Sequence, residues 1–184
     1  DVLLFPSHAD DDVIFFGALA AQCVDRGLAV QVAYLVNHYD WQPRPQELLD
    51  ALWTMGIRNY PDIGPFPDYY VLSLEAAQQR FKPLVAVGHD REGEYGHGAH
   101  RLNALALEQA VVYAADASYD AESAAQYGVW DTPKLYLHFA DENPIFLDVE
   151  TPLESFGGKT AFEVASEAML CHESQLQYAH RPTL

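Results

Sequence analysis

Phe5-Pro6-Ser7-His8-Ala9-Asp10-Asp11-Asp12 closes the apolar run Val2–Phe5 and opens a helical pattern. Tyr95-Gly96-His97-Gly98-Ala99-His100 stands in the same relation to the apolar run Leu84–Val87 and the helical pattern after it. Short apolar runs bounded by turn residues read as buried parallel strands. In an open α/β sheet, two such strand-to-helix turns share the crevice at the carboxyl ends of the strands. Histidines and carboxylates distant in sequence are thereby expected in one pocket.

Outward from the first turn, the acids at 10–12 supply N-cap chemistry for a helix from about Val13 to Arg26, stopped by Gly27. Ala29–Val36 reads as the second strand and Asn37–Arg44 as a polar, aromatic loop. Pro45 begins a helix that runs through Met55 and ends at Gly56. Pro61, Gly64, Pro65 and Pro67 make Tyr60–Leu72 a loop with at most one short strand. Ser73 caps a short helix to about Phe81, and a longer one covers about Ala99–Ala115. Lys134–Phe139 alternates as a strand, Ile145–Val149 is a further strand candidate, and a last helix covers about Lys159–Leu176. Strands alternating with helices predict an α/β fold, a three-layer αβα Rossmann-like arrangement with a mostly parallel sheet. One domain over residues 1–184 is expected from the length. No Gly-x-Gly-x-x-Gly or Walker loop follows the first strand, so dinucleotide binding by the usual device is not expected.

The net charge of −17 argues against nucleic acid or anionic membrane as a partner and suits a neutral or cationic substrate. No apolar run approaches the length of a membrane span. The two cysteines, Cys23 and Cys171, give no disulfide framework and are expected as buried free thiols. A chain that starts at Asp1 and enters a strand at once looks like a processed or trimmed domain. Export is slightly favoured over the cytoplasm.

His8 and Asp11, three residues apart across a helix start, can point the same way. First-turn acids are ordinarily explained by the helix dipole. Three adjacent carboxylates repel one another, however, and a cation relieves that repulsion better than a cap does. His97 and His100 repeat the spacing at the second turn. His100, inside the helix, is the steadier ligand, and His97, in the glycine-bracketed loop, is placed to act on substrate. Three His/Asp ligands with an open fourth position make a catalytic zinc site, beside which a spare carboxylate can activate water. His89 is expected to be structural or to stand behind the ligands, while His138 and His180 are expected to have no role.

The two turns resemble the PIG-L/LmbE-like zinc-dependent de-N-acetylases, whose motifs read His-Pro-Asp-Asp-Glu and His-Pro-Asp-His. Arg44-x-x-Glu47-Leu48 and His172-x-Ser174-Gln175 resemble the family more loosely, and the likeness spans most of the chain. The resemblance implies an LmbE-like fold and His8, Asp11 and His100 as ligands of Zn2+ or another divalent transition metal. It further implies Asp10 as general base, His97 as charged partner of the tetrahedral intermediate, and Tyr95 as an oxyanion contact. Ala9 replaces the family's proline, Asp12 its glutamate, and Gly98-Ala99 its Pro-Asp. The carboxylate missing at Ala99 leaves Glu92, Glu94 or Asp90 to compensate.

Arg44, just before a helix, is a candidate substrate contact at the rim of the crevice. Asp68, within Phe66-Pro67-Asp68-Tyr69-Tyr70, can accept sugar hydroxyls beside an aromatic platform, and His38, with Tyr39 and Trp41, follows the second strand toward the same pocket. The expected activity is removal of an acetyl group from an N-acetylated amino sugar or glycoconjugate. The alternatives are an amidase acting on a non-sugar amide and a decayed site that binds glycans without turnover. Relatives often form homo-oligomers, so self-association is a further expectation.

Overall fold

The computed structural model describes residues 1–38, 41–66 and 74–178. Its centre is β1 (Val2–Leu4), buried along its whole length because it has sheet neighbours on both sides and helices on both faces. β2 (Val30–Val36) pairs with it in parallel on one side and β4 (Val85–Gly88) on the other, setting Leu4 opposite Val32 and Val87. β3 (Asp62–Phe66) lies outside β2, and β5 (Lys134–Leu137) outside β4. The order β3-β2-β1-β4-β5 therefore reverses direction between β1 and β4. A crevice opens at the carboxyl ends of strands where a sheet reverses in this way.

Alternate strand residues face opposite layers, as the period of two demands. Val2, Leu4, Val30, Val32 and Tyr34 pack with α2 (Gly17–Asp25), α3 (Arg44–Thr54) and α7 (Ala161–Met169). Leu3, Phe5, Ala33, Leu35 and Ala86 pack with α4 (Leu74–Phe81) and α5 (Gly98–Tyr113). The expected three-layer αβα arrangement is present.

Several elements differ from expectation. The helix expected over Val13–Arg26 is two, α1 (Asp11–Ile14) and α2, parted at Phe15-Phe16. The break lets both rings pack against His89, at 5.6 Å from Phe15 and 5.2 Å from Phe16. The last helix ends at Met169, after a Thr160–Glu163 capping box, because His172 turns inward toward Asp12 and Ser174 toward Glu47. A 3₁₀ stretch then covers Glu173–Tyr178. α6 (Ala121–Tyr127), absent from the sequence reading, is started by the Asp120 carboxylate, which accepts the Ser123 N–H at 2.9 Å. The segment at 145–149 forms no strand and stays outside the sheet, with Phe146 88% exposed. Cys23 and Cys171 are free thiols; Cys23 is buried and Cys171 only partly so.

Candidate metal centre

Both motif turns leave the sheet at its point of reversal. The first, from Phe5 to Asp10, is held by its own backbone: Leu35 and Val36 N–H groups donate to the carbonyls of Pro6 and Ser7. Asn103 of α5 fastens it to the second turn, its Nδ2 donating to Phe5 O at 2.9 Å and Ser7 Oγ at 3.1 Å. The second turn needs glycine at 93, where φ is +69° and a Cβ would lie 2.4 Å from the His97 carbonyl oxygen. Tyr95 also has a left-handed backbone (φ 46°), and its ring lies 5.8 Å from that of His97.

The turns bring the imidazoles of His8, His97 and His100 together. Ring centroids are 5.1 Å apart for His8 and His97, 4.5 Å for His97 and His100, and 5.5 Å for His8 and His100. Asp11 Oδ2 lies against two of them, 3.0 Å from His8 Nδ1 and 3.2 Å from His100 Nε2. The same oxygen accepts the His8 backbone N–H at 2.7 Å, which fixes the turn. Burial alone would raise the Asp11 carboxyl, but its contacts with His100, His8 and His89 outweigh this and hold it well below the usual carboxylate range. His100, between Asp11 and Glu94, is raised to about 9 against the opposing effect of burial. Positive charge is thus strongly favoured here. Donors around a tetrahedral zinc, each about 2.1 Å from it, lie about 3.4 Å apart, so His8, Asp11 and His100 fit such an ion.

His89, Glu94 and His100 form a second close group among the described residues. His89 Nε2, however, accepts the Ser7 N–H at 3.0 Å, and its Nδ1 faces Glu94 Oε2 at 2.8 Å. With both nitrogens engaged, His89 has none left for an ion. Burial opposes ionisation of Glu94, but His100, His138 and His89 hold its carboxyl well below the ordinary range.

Asp10 occupies the N-cap position of α1 yet makes no capping bond. Its Oδ1 instead accepts from Arg44 Nη2 at 3.1 Å, and the same guanidinium nitrogen donates to the Ala9 carbonyl. Arg44 is only 3% exposed, which places its guanidinium beneath the first turn. Burial and the charge of Asp11 push Asp10 up to about 6, with Arg44 and His8 pulling the other way. Asp12 is raised to about 8, chiefly by burial and then by the charge of Asp10.

His38 stacks on His8 at a centroid distance of 6.0 Å. Asp68, Tyr39 and His180 lie outside the described residues. The two loosely matching stretches meet: Glu47 accepts from the Ser174 N–H at 2.8 Å and hydroxyl at 2.6 Å. His138, expected to have no role, places Nδ1 2.9 Å from Glu94 Oε1. Its position at the end of the strand beside β4 was the available signal.

No known family profile matches this sequence, and no curated protein matches it. Solved structures do. N,N'-diacetylchitobiose deacetylase from Pyrococcus horikoshii superposes with a TM-score of 0.75 and 16% identity, over 95% of this chain and 70% of that one. The chain has the LmbE-like fold. The deacetylase Dbv21, acting on A40926 pseudoaglycone, matches with TM-score 0.61 and 18% identity, over 96% and 82%. GalB, the 4-carboxy-2-hydroxymuconate hydratase from Pseudomonas putida KT2440, matches with TM-score 0.71 and 17% identity, over 96% and 80%.

Proposed function

We propose that this chain is a zinc-dependent N-deacetylase acting on an N-acetylated amino sugar or glycoconjugate. One observation carries the reading: His8 Nδ1 and His100 Nε2 flank Asp11 Oδ2 at 3.0 and 3.2 Å, while the adjacent Asp10 is bonded to Arg44 instead. The set thus separates three ligands from a spare carboxylate. The deacetylases that share the fold support the substrate class.

A zinc ion on those ligands would acidify a water and polarise the amide carbonyl. Asp10 takes the water's proton at Oδ2, because Arg44 holds Oδ1. An affinity for protons near 6 suits a base that must accept and then release one. His97 faces the site from the opposite turn and stabilises the developing oxyanion, with Tyr95 as a second donor. The carbonyl carbon gains the water oxygen and its bond to nitrogen breaks. Asp10 or His97 passes a proton to the leaving amine, and acetate departs. His38 lines the edge beside His8, and Asp68 is assigned to the sugar hydroxyls. Arg44 acts through Asp10.

The test is zinc content together with acetate release from N-acetylglucosamine, N,N'-diacetylchitobiose and N-acetyl amino acids. Bound zinc with acetate from the sugars is expected. Turnover of the amino acids alone would move the assignment to a non-sugar amidase, and saturable glycan binding without turnover to a decayed site. GalB shows that a hydratase shares this fold, so acetate itself is the product to measure.

A further inference from the structure

Glu94 is buried among three imidazoles, all of which present Nδ1 to it. Its Oε2 lies 2.8 Å from Nδ1 of both His89 and His100, and its Oε1 lies 2.9 Å from Nδ1 of His138. Oε1 also accepts the Asp90 N–H at 3.2 Å. An ionised carboxylate only accepts, so the protons belong on Nδ1 of His89 and His138, the two rings hydrogen-bonded to it.

His89 provides an independent check. A backbone N–H only donates, and that of Ser7 points at His89 Nε2 from 3.0 Å. This nitrogen therefore carries a lone pair, and the proton of the neutral ring sits on Nδ1, facing Glu94. His100 lies flat on His89, with centroids 4.0 Å apart and planes at 13°, and shares the same Glu94 oxygen. One oxygen cannot lie in the planes of two stacked rings, so Glu94 holds His89 by a hydrogen bond and His100 only by proximity, and His100 Nε2 lies 3.2 Å from Asp11 Oδ2. The turn between His97 and His100 holds only Gly98 and Ala99, so the carboxylate arrives from outside it.

We propose that Glu94 is a positioning residue of the metal centre: it fixes His89 in the Nδ1–H tautomer, so that His89 Nε2 accepts the Ser7 N–H and ties down the turn that carries His8. The proposal rests on the metal-centre reading above.

Glu94→Gln tests it, because the amide keeps the size but offers one acceptor oxygen where the carboxylate offers two. Zinc affinity of the whole chain is measured by chelator competition, with circular dichroism as the check on folding. The expected result is a folded variant that binds zinc roughly 10–100-fold more weakly than the unaltered chain, the usual cost of losing such a partner. A folded variant within about threefold of the unaltered chain overturns the proposal. Long-range 15N–1H spectra of the unaltered, zinc-loaded protein decide the matter even if the variant does not fold. Nδ1–H on His89 supports the assignment, and Nε2–H on His89 overturns it. An unaltered chain that binds no zinc refutes the metal centre itself, a result distinct from a failure of Glu94 alone.

Discussion

Arg44→Met separates two roles for a residue that the sequence places at the substrate rim and the structure places under Asp10. The guanidinium makes charge-assisted bonds to Asp10 Oδ1 at 3.1 Å and to the Ala9 carbonyl. Such bonds contribute about 1.5–3 kcal/mol each, giving a gross loss of about 3–6 kcal/mol. The Asp10 side chain is 18% exposed, so water replaces part of what its carboxylate loses. A net destabilisation of about 2–4 kcal/mol is expected, read as the shift in urea midpoint at constant slope. In steady-state acetate release, kcat should fall at least about tenfold with KM little changed, because an interaction that aligns the base acts in the transition state. A substrate-contacting arginine predicts the reverse: stability within about 0.5 kcal/mol of the unaltered chain and a raised KM at constant kcat. That pair of results would refute the buried-clamp assignment.

Asp10→Asn should retain zinc, measured by metal analysis, and lose roughly 10²–10⁴-fold in kcat, since it removes the proton acceptor but no ligand. His100→Ala should lose both zinc and turnover in the same two assays. Chelation should abolish acetate release and lower thermal stability. Adding zinc back to about 100 times its dissociation constant should restore about 2.7 kcal/mol, followed by calorimetry. Gly93→Ala forces a Cβ to within 2.4 Å of the His97 carbonyl at φ +69°. It should cost about 1–3 kcal/mol in denaturant unfolding and depress kcat by displacing His97.

The two turns were legible because each is a local pattern: an apolar strand, a break, then His and, three residues on, Asp or His. Their meeting was legible only as a consequence of sheet order, since adjacency of β1 and β4 depends on β2 and β3 going to the other side. Phe15-Phe16 hid the break in the first helix, because two apolar residues fit a helical pattern as well as a kink. Glu94 was one of three acids the sequence offered in place of the carboxylate missing at Ala99, and which of the three turns inward was beyond local reading. Two of its partners, His89 and His100, lie in the same loop-to-helix segment, but His138 comes from β5. Arg44 was misplaced in depth for a related reason. Its position before α3 set its place along the crevice, but only the packed turn shows it to be covered.

Three consecutive aspartates would be an electrostatic burden if all were ionised together, and the fold gives them different protonation states. Asp11 faces His8, His89 and His100 and stays ionised. Asp12 points into the protein, where its Oδ1 is 3.8 Å from His172 Nε2. Burial there lifts its pKa to about 8, so it is mostly uncharged at neutral pH. His172 is itself driven down to about 3, by burial and then by the nearby Arg44 charge, and so provides no cation to ionise it. Asp10 lies between these extremes, raised by burial and Asp11 and restrained by Arg44. Neighbouring carboxyls whose environments drive their proton affinities apart are suited to different tasks. The ordering here follows from geometry: the histidine-facing acid is suited to be a ligand, the Arg44-facing acid a base, and the buried acid neither. Three identical side chains are thereby suited to different parts, and exchanging their surroundings, not their identities, would exchange those parts.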